Sequence, residues 1–82
     1  MPANNIVAKN NLGYLGIDFQ YRLINAFFEN PSFFKDMYPI VNQNMFTEVY
    51  LRMVVGIMKE YYAKYESTVT YDILSFKIRE KQ

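Results

Sequence analysis

Apolar residues recur at three- and four-residue spacing along most of this chain, from Phe19 to Ile78. That spacing places them on one side of an α-helix, because the helix has about 3.6 residues per turn. Two breaks divide the pattern, one at Asn30-Pro31 and the other at Ser67-Thr68. The pattern therefore predicts an all-α domain, a small bundle of about four helices of unequal length.

The first two predicted helices meet at the Asn-Pro break. The first begins at Asp18, a residue type that caps helix N-termini, and ends near Asn30. Asn30 then caps a second, short helix with Pro31 in its first turn, where the missing N–H costs nothing. That helix should end near Pro39, because the proline ring pushes the preceding residue out of the α region. The apolar face of the first helix is predicted to comprise Phe19, Leu23, Ile24, Ala26, Phe27 and Phe28.

The third predicted helix, residues 47–65, is the longest and carries two apolar stripes side by side. Such a wide apolar arc indicates either a central place in the bundle or a stripe that binds a partner. Both alternatives stay open at this stage. The first stripe consists of Phe46, Tyr50, Met53, Val54, Ile57 and Tyr61. The second, our candidate protein interface, consists of Leu51, Val55, Met58 and Tyr62.

A fourth helix is predicted after the Ser-Thr break, with Thr70 as its cap and Tyr71, Leu74 and Ile78 on one face. Residues 1–17 are rich in asparagine and glycine, and we expect a flexible N-terminal arm there. Residues 18–82 form the helical domain. The helical pattern still continues at Gln82, so we expect this domain to be a fragment of a longer protein.

Composition narrows the class of protein. An 82-residue chain makes one domain, and a domain of this size buries only about 60–65% of its unfolded surface, so oligomerisation would help its stability. The net charge of +1 is too small to attract nucleic acid strongly. The absence of cysteine excludes disulfides, and a reducing cytoplasm is the expected location. The apolar runs are far shorter than the ~20 residues of a membrane span, so no membrane role is expected.

Little catalytic chemistry is available in this sequence. It lacks histidine and cysteine, which supply the commonest general base, the thiol nucleophile and most transition-metal ligands. Its carboxylates do not pair at a spacing that suits acid–base catalysis, and it has no glycine-rich phosphate loop. We therefore predict no catalytic residue, cofactor or metal site, and we do not expect this chain to be an enzyme.

One helix end interleaves aromatic and basic residues, which is a pattern of single-strand nucleic-acid binding. Two glutamates, Glu60 and Glu66, cancel the local positive charge. The pattern keeps a small helical nucleic-acid-binding regulator open as an alternative. It is made by Lys59, Tyr61, Tyr62, Lys64 and Tyr65.

The order of these elements resembles the N-terminal domain of DnaB-type replicative DNA helicases, over residues 18–82. Those domains commonly have an Asn-Pro-like break after the first helix, and here it is Asn30-Pro31. They also have an aromatic residue before the long helix and an arginine within it, matched by Phe46 and Arg52. The sequence departs from the family at three positions: Leu51 replaces a frequent histidine, Thr70 replaces a frequent aspartate, and Pro39 interrupts the second helix.

The resemblance implies a function for the whole protein. This chain would be the globular head of an N-terminal collar that supports assembly of a homo-oligomeric ring and contacts primase or a helicase loader. ATP hydrolysis and DNA unwinding would belong to a RecA-like domain elsewhere in the protein. The helicase-binding domain of bacterial primases is similar in fold, so a primase-type helicase-interaction domain is a further alternative.

Overall fold

The computed structural model describes residues 12–81, and within them the chain is all-helical, as predicted. Four α-helices follow one another: α1 (Ile17–Glu29), α2 (Pro31–Met37), α3 (Val49–Tyr65) and α4 (Tyr71–Lys81). Two single turns of 3₁₀ helix, Gly13–Leu15 and Gln43–Met45, precede α1 and α3. Their order and lengths agree with the breaks that the sequence predicts.

The N-cap of α1 lies two positions before the predicted one. Gly16 occupies the N-cap with φ of +89°, a value that favours glycine, and Asp18 lies inside the first turn. The predicted boundary of the N-terminal arm at residue 17 therefore falls inside α1. The part of that arm that is described is folded, since the backbone N–H of Leu12 donates to the carbonyl of Met45. Residues 1–11 of the predicted arm lie outside the described residues.

The buried face of α1 agrees with the predicted one at Ile24 and Phe27 but differs from it at the N-terminal end of the helix. Phe19 is 40% exposed, whereas the neighbouring Gln20 is buried at 1%. Gln20 lies there because its amide is fully used: Nε2 donates to Thr47 Oγ1 at 3.1 Å, and Oε1 accepts the Thr47 backbone N–H at 3.0 Å. This clamp joins α1 to the entry of α3, and it costs little because the buried amide keeps its hydrogen bonds.

The Asn-Pro break works as the sequence predicts. Asn30 Oδ1 accepts the backbone N–H of Phe33 at 3.2 Å, and Pro31 opens α2. The helix ends at Met37, two residues before Pro39, but Tyr38 keeps α-helical dihedral angles (φ −51°, ψ −47°), so the predicted displacement of this residue from the α region is wrong. This helix of about two turns brings Phe34 into the core, where that ring is fully buried.

The segment between α2 and α3 is fastened by side chains from α3. Lys59 Nζ donates to the carbonyl of Val41 at 2.6 Å, and Arg52 Nε donates to the carbonyl of Phe46 at 2.8 Å. The side chains of Val41 and Phe46 are fully buried. Two polar residues of α3 therefore hold the connector against the helix that follows it.

α3 is the central helix, and α4 packs back along it. The core is formed by buried side chains from all four helices and from the connectors between them. Thr70 caps α4 as predicted, with Oγ1 accepting the N–H of Ile73 at 3.3 Å. The buried apolar residues are Ile24, Phe27, Phe34, Val41, Phe46, Leu51, Val54, Val55, Ile57, Met58, Val69 and Leu74.

Candidate protein-docking groove

The second stripe of α3, our candidate interface from the sequence, lies in the core. Leu51, Val55 and Met58 are exposed by only 2%, 0% and 0%. Tyr62 is partly buried, with its ring 5.6 Å from that of Phe34 in an edge-on contact. The domain itself covers Val55 and Met58 completely and most of Leu51 and Tyr62, so this stripe belongs mainly to the core, and Leu51 reaches the surface only in the groove described next. The wide apolar arc reflects the central position of α3, which was the other alternative.

Apolar surface is left open elsewhere, in a groove between α1, α3 and α4 with a volume of about 240 Å³. Its floor consists of core side chains that the groove leaves slightly accessible: Ile24, Leu51, Val54 and Leu74. For comparison, a cavity of about 150 Å³ accommodates a benzene ring. The groove is thus large enough for an apolar side chain of a binding partner.

Tyrosines form the rim of this groove. Tyr21 of α1 is 45% exposed, Tyr50 of α3 is 50% exposed and Tyr71 of α4 is 59% exposed. Phe28 stacks on Tyr71 with ring centroids 4.3 Å apart, which joins α1 to the start of α4. Exposed tyrosines offer a large rigid contact area and a hydroxyl group for hydrogen bonding, and for that reason they are enriched in protein interfaces.

No charged residue lines the groove. Its polar members besides the tyrosines are Asn25 and Ser75, and its remaining residues are apolar. A surface with that composition desolvates at low cost and favours an uncharged, apolar segment of a partner protein. The arrangement suits protein docking. The full lining is Tyr21, Ile24, Asn25, Phe28, Tyr50, Leu51, Val54, Tyr71, Leu74, Ser75 and Ile78.

Sequence reasoning missed this site for identifiable reasons. Tyr50 belongs to the first predicted stripe of α3, and Tyr21 lies outside the predicted apolar face of α1. The groove is lined by residues of three different helices, and the periodicity of a single helix does not report such an arrangement. The available signal was the surplus of aromatic residues, at 18% of the chain.

The aromatic and basic cluster at the end of α3 is only partly open to a ligand. The rings of Tyr61 and Tyr65 pack on each other at 4.6 Å, and Lys64 Nζ lies 5.5 Å from the Tyr65 ring centroid. Lys77 of α4 and Glu60 join them around a small pocket of about 150 Å³. The glutamate beside two lysines weakens the attraction for phosphate.

Another pocket, with a volume of about 350 Å³, has a structural explanation. Gln43 lies across α3 at Gly56 and donates to the carbonyl of Arg52 at 3.1 Å. A Cβ at position 56 would clash with Gln43 Nε2, so the glycine makes room for this side chain. Arg52 itself holds Phe46, and these are the two residues that carry much of the helicase resemblance.

Residues 12–81 have two further properties that bear on function. They contain no group of three or more acidic, histidine or cysteine residues arranged to hold a metal ion. Within the same part of the chain, no helix has both the length and the apolar character needed to cross a membrane.

The chain was compared with protein-family models, with characterised proteins and with solved structures. None of them matches it.

Proposed function

We propose that this chain is a non-catalytic, helical protein-docking domain of the kind that forms the N-terminal head of DnaB-type replicative helicases. The observation that carries the proposal is the uncharged groove rimmed by Tyr21, Tyr50 and Tyr71. A domain that binds through such a groove needs no catalytic group of its own. Its role would be to support assembly of the helicase ring in the cytoplasm and to contact primase or a helicase loader.

Two features of the fold are compatible with the helicase assignment. The Asn30-Pro31 junction sets the lengths of α1 and α2, as it does in the family that the sequence resembles. Arg52 anchors Phe46 through a 2.8 Å hydrogen bond, so the aromatic residue and the arginine that support the resemblance act together at the entry of α3. Both are structural roles, and partner choice would depend on the groove.

Binding to replication proteins tests the proposal directly. The domain is titrated in a calorimeter with the primase and with the helicase loader from the same genome, and we expect one of them to bind. Tyr50→Ser should weaken that binding at least tenfold, because truncating an aromatic side chain that becomes buried on binding costs about 2 kcal/mol or more. Tyr65→Ser is the matched control, since Tyr65 is 54% exposed on the same helix but outside the groove.

A nucleic-acid-binding regulator is the second candidate, supported by the Tyr61, Lys64, Tyr65 and Lys77 cluster. Fluorescence anisotropy with single- and double-stranded DNA separates the two. The docking proposal predicts no binding at physiological salt. Salt-sensitive DNA binding that is lost in Lys64→Ala/Lys77→Ala, together with no binding to either replication protein, would overturn the docking proposal in favour of the regulator.

A primase-type helicase-interaction domain differs from the helicase head in its partner and in its surroundings in the gene. Binding to a replicative helicase instead of to primase or the loader would favour this alternative. The reading frame beyond Gln82 gives an independent test. The helicase assignment predicts a phosphate-binding loop of the Gly-x-x-x-x-Gly-Lys-Thr type in that region.

A further inference from the structure

One exposed face of α4 carries charged side chains that have no partner within residues 12–81. Asp72, Ser75, Phe76 and Arg79 follow the spacing i, i+3, i+4, i+7, which places them on one face of the helix, and all four are exposed. Phe76 is 56% exposed. The side chains of Asp72 and Arg79 form no ion pair or hydrogen bond within residues 12–81. α4 is held to the domain by other residues, chiefly Leu74, the one buried residue of this helix.

The order of charges on this face is complementary to itself when the helix is reversed. An acidic residue stands near the N-terminal end of the face and a basic residue near its C-terminal end, with Ser75 and Phe76 at the centre. We propose that α4 pairs antiparallel with α4 of a second copy of this chain, about a two-fold axis between positions 75 and 76. In this register Asp72 of each copy lies opposite Arg79 of the other.

Charge decides the direction of the pairing. A parallel arrangement places Asp72 against Asp72 and Arg79 against Arg79, and both contacts are repulsive. The antiparallel arrangement forms the two opposite-charge contacts and also aligns the helix dipoles favourably. A closed two-fold contact of this kind uses the same patch on both copies.

The centre of the face supplies the apolar contact. Phe76 of one copy lies against Ser75 of the other, and the small serine side chain lets the helices approach closely. Exposed ion pairs contribute only about 0–1 kcal/mol each, so we expect the dimer to be weak. The charged pairs set the register of the two helices, and Phe76 provides most of the buried apolar area. Of the four residues on this face only Ser75 also lines the docking groove, and the pairing does not depend on the helicase assignment.

A charge-exchange experiment tests this pairing with the whole chain. Sedimentation velocity is measured over a wide concentration range at low salt for the wild type, Asp72→Arg, Arg79→Asp, and an equimolar mixture of these two variants. We expect the wild type to dimerise in a concentration-dependent manner. Each variant alone should dimerise at least tenfold more weakly, because like charges then face each other at both contacts.

Mixing the two variants should restore the dimer. One chain then carries two basic residues on the face and the other carries two acidic residues, so both opposite-charge contacts return. The comparison of mixed and separate samples is independent of any effect on folding, because it uses the same two proteins. Asp36→Arg, on the exposed side of α2, is the control and should leave dimerisation unchanged.

Variants that remove a charge without reversing it keep the test possible if a charge reversal unfolds α4. Asp72→Asn and Arg79→Gln should each weaken the dimer several-fold, and Phe76→Ser should weaken it at least tenfold. The proposal is overturned if the wild type stays monomeric, if the single variants dimerise as the wild type does, or if the mixture remains monomeric. None of these results affects the titration with replication proteins, so the two proposals fail separately.

Discussion

α2 and α4 each place one buried side chain in the core, yet they are anchored very differently. Phe34 of α2 is fully buried, with edge-on ring contacts to Phe27 at 5.0 Å and Tyr62 at 5.6 Å. The aromatic residues of α4, Tyr71 and Phe76, are 59% and 56% exposed although this helix is longer. The seven-residue helix completes the core, whereas the eleven-residue helix keeps apolar surface available for other molecules.

This contrast explains where the excess of aromatic residues is used. Around α2 the aromatic rings pack on one another and help to stabilise a small domain, which has little buried surface to hold it together. Around α4 they remain at the surface, and a surface of that kind in a small protein usually has a binding role. The predictions below test this division, beginning with the largest expected effect.

Met58→Glu should abolish cooperative folding. The residue is fully buried, and an unpaired buried charge costs about 3–5 kcal/mol, which matches the stability that a core of this size supplies. Circular dichroism during heating is the measurement. Val49→Glu is the control on the same helix, because Val49 is 78% exposed and the variant should stay folded. If the Met58→Glu protein instead stays folded and self-associates more weakly, the second stripe of α3 is a surface interface and not part of the core.

Phe34→Ala should lower the free energy of unfolding by about 3–5 kcal/mol, because it removes a fully enclosed ring and leaves a cavity. Phe76→Ala makes the same chemical change on α4 and should cost less than about 0.5 kcal/mol, as is usual for exposed positions. Urea unfolding of the two variants gives the difference. Similar losses in both would remove the distinction between the two helices.

Gln20→Ala should cost about 1–3 kcal/mol, since it breaks the clamp to Thr47 and leaves buried space where the amide was. Gln43→Ala is the control: it also removes a side-chain hydrogen bond to the backbone, but an exposed one, and it should cost about 1 kcal/mol or less. Urea unfolding again gives the measurement. Equal effects would show that the buried clamp is unimportant.

Glu66→Gly should raise the free energy of unfolding by about 0.5–1 kcal/mol. Glu66 ends α3 in the left-handed region with φ of 55°, which is unfavourable for a residue with a Cβ. Glu66→Ala keeps the Cβ and should bring no such gain. Thermal unfolding compares the two substitutions, and a larger gain with alanine would contradict the backbone explanation.

The sequence was sufficient for the fold because helix ends are determined locally. Asn30 with Pro31, Pro39, and Thr70 each act on residues within one turn, and the helices begin or end at or near them. The faces of the helices were harder to assign. Gln20 is buried instead of Phe19 because Thr47 completes its hydrogen bonds, and the two residues lie far apart in the sequence.

The candidate site was missed for the same physical reason. A projection along α3 identifies two apolar stripes but does not show which one the other helices cover. Tertiary packing buries Leu51, Val55 and Met58 and leaves Tyr50 half exposed, so the surface available for binding lies beside the predicted one. The resemblance to replicative helicases rests on residues that mainly build the fold, such as Arg52.

The central claim is that the tyrosine rim of the groove serves binding more than folding. The most direct measurement is the melting temperature of the wild type and of Tyr21→Ser/Tyr50→Ser, each with and without the primase or loader that binds. We predict that the double variant alone melts within a few degrees of the wild type. The partner should raise the melting temperature of the wild type and leave the melting temperature of the variant unchanged. An unfolded double variant, or an equal rise for both proteins, would contradict the claim.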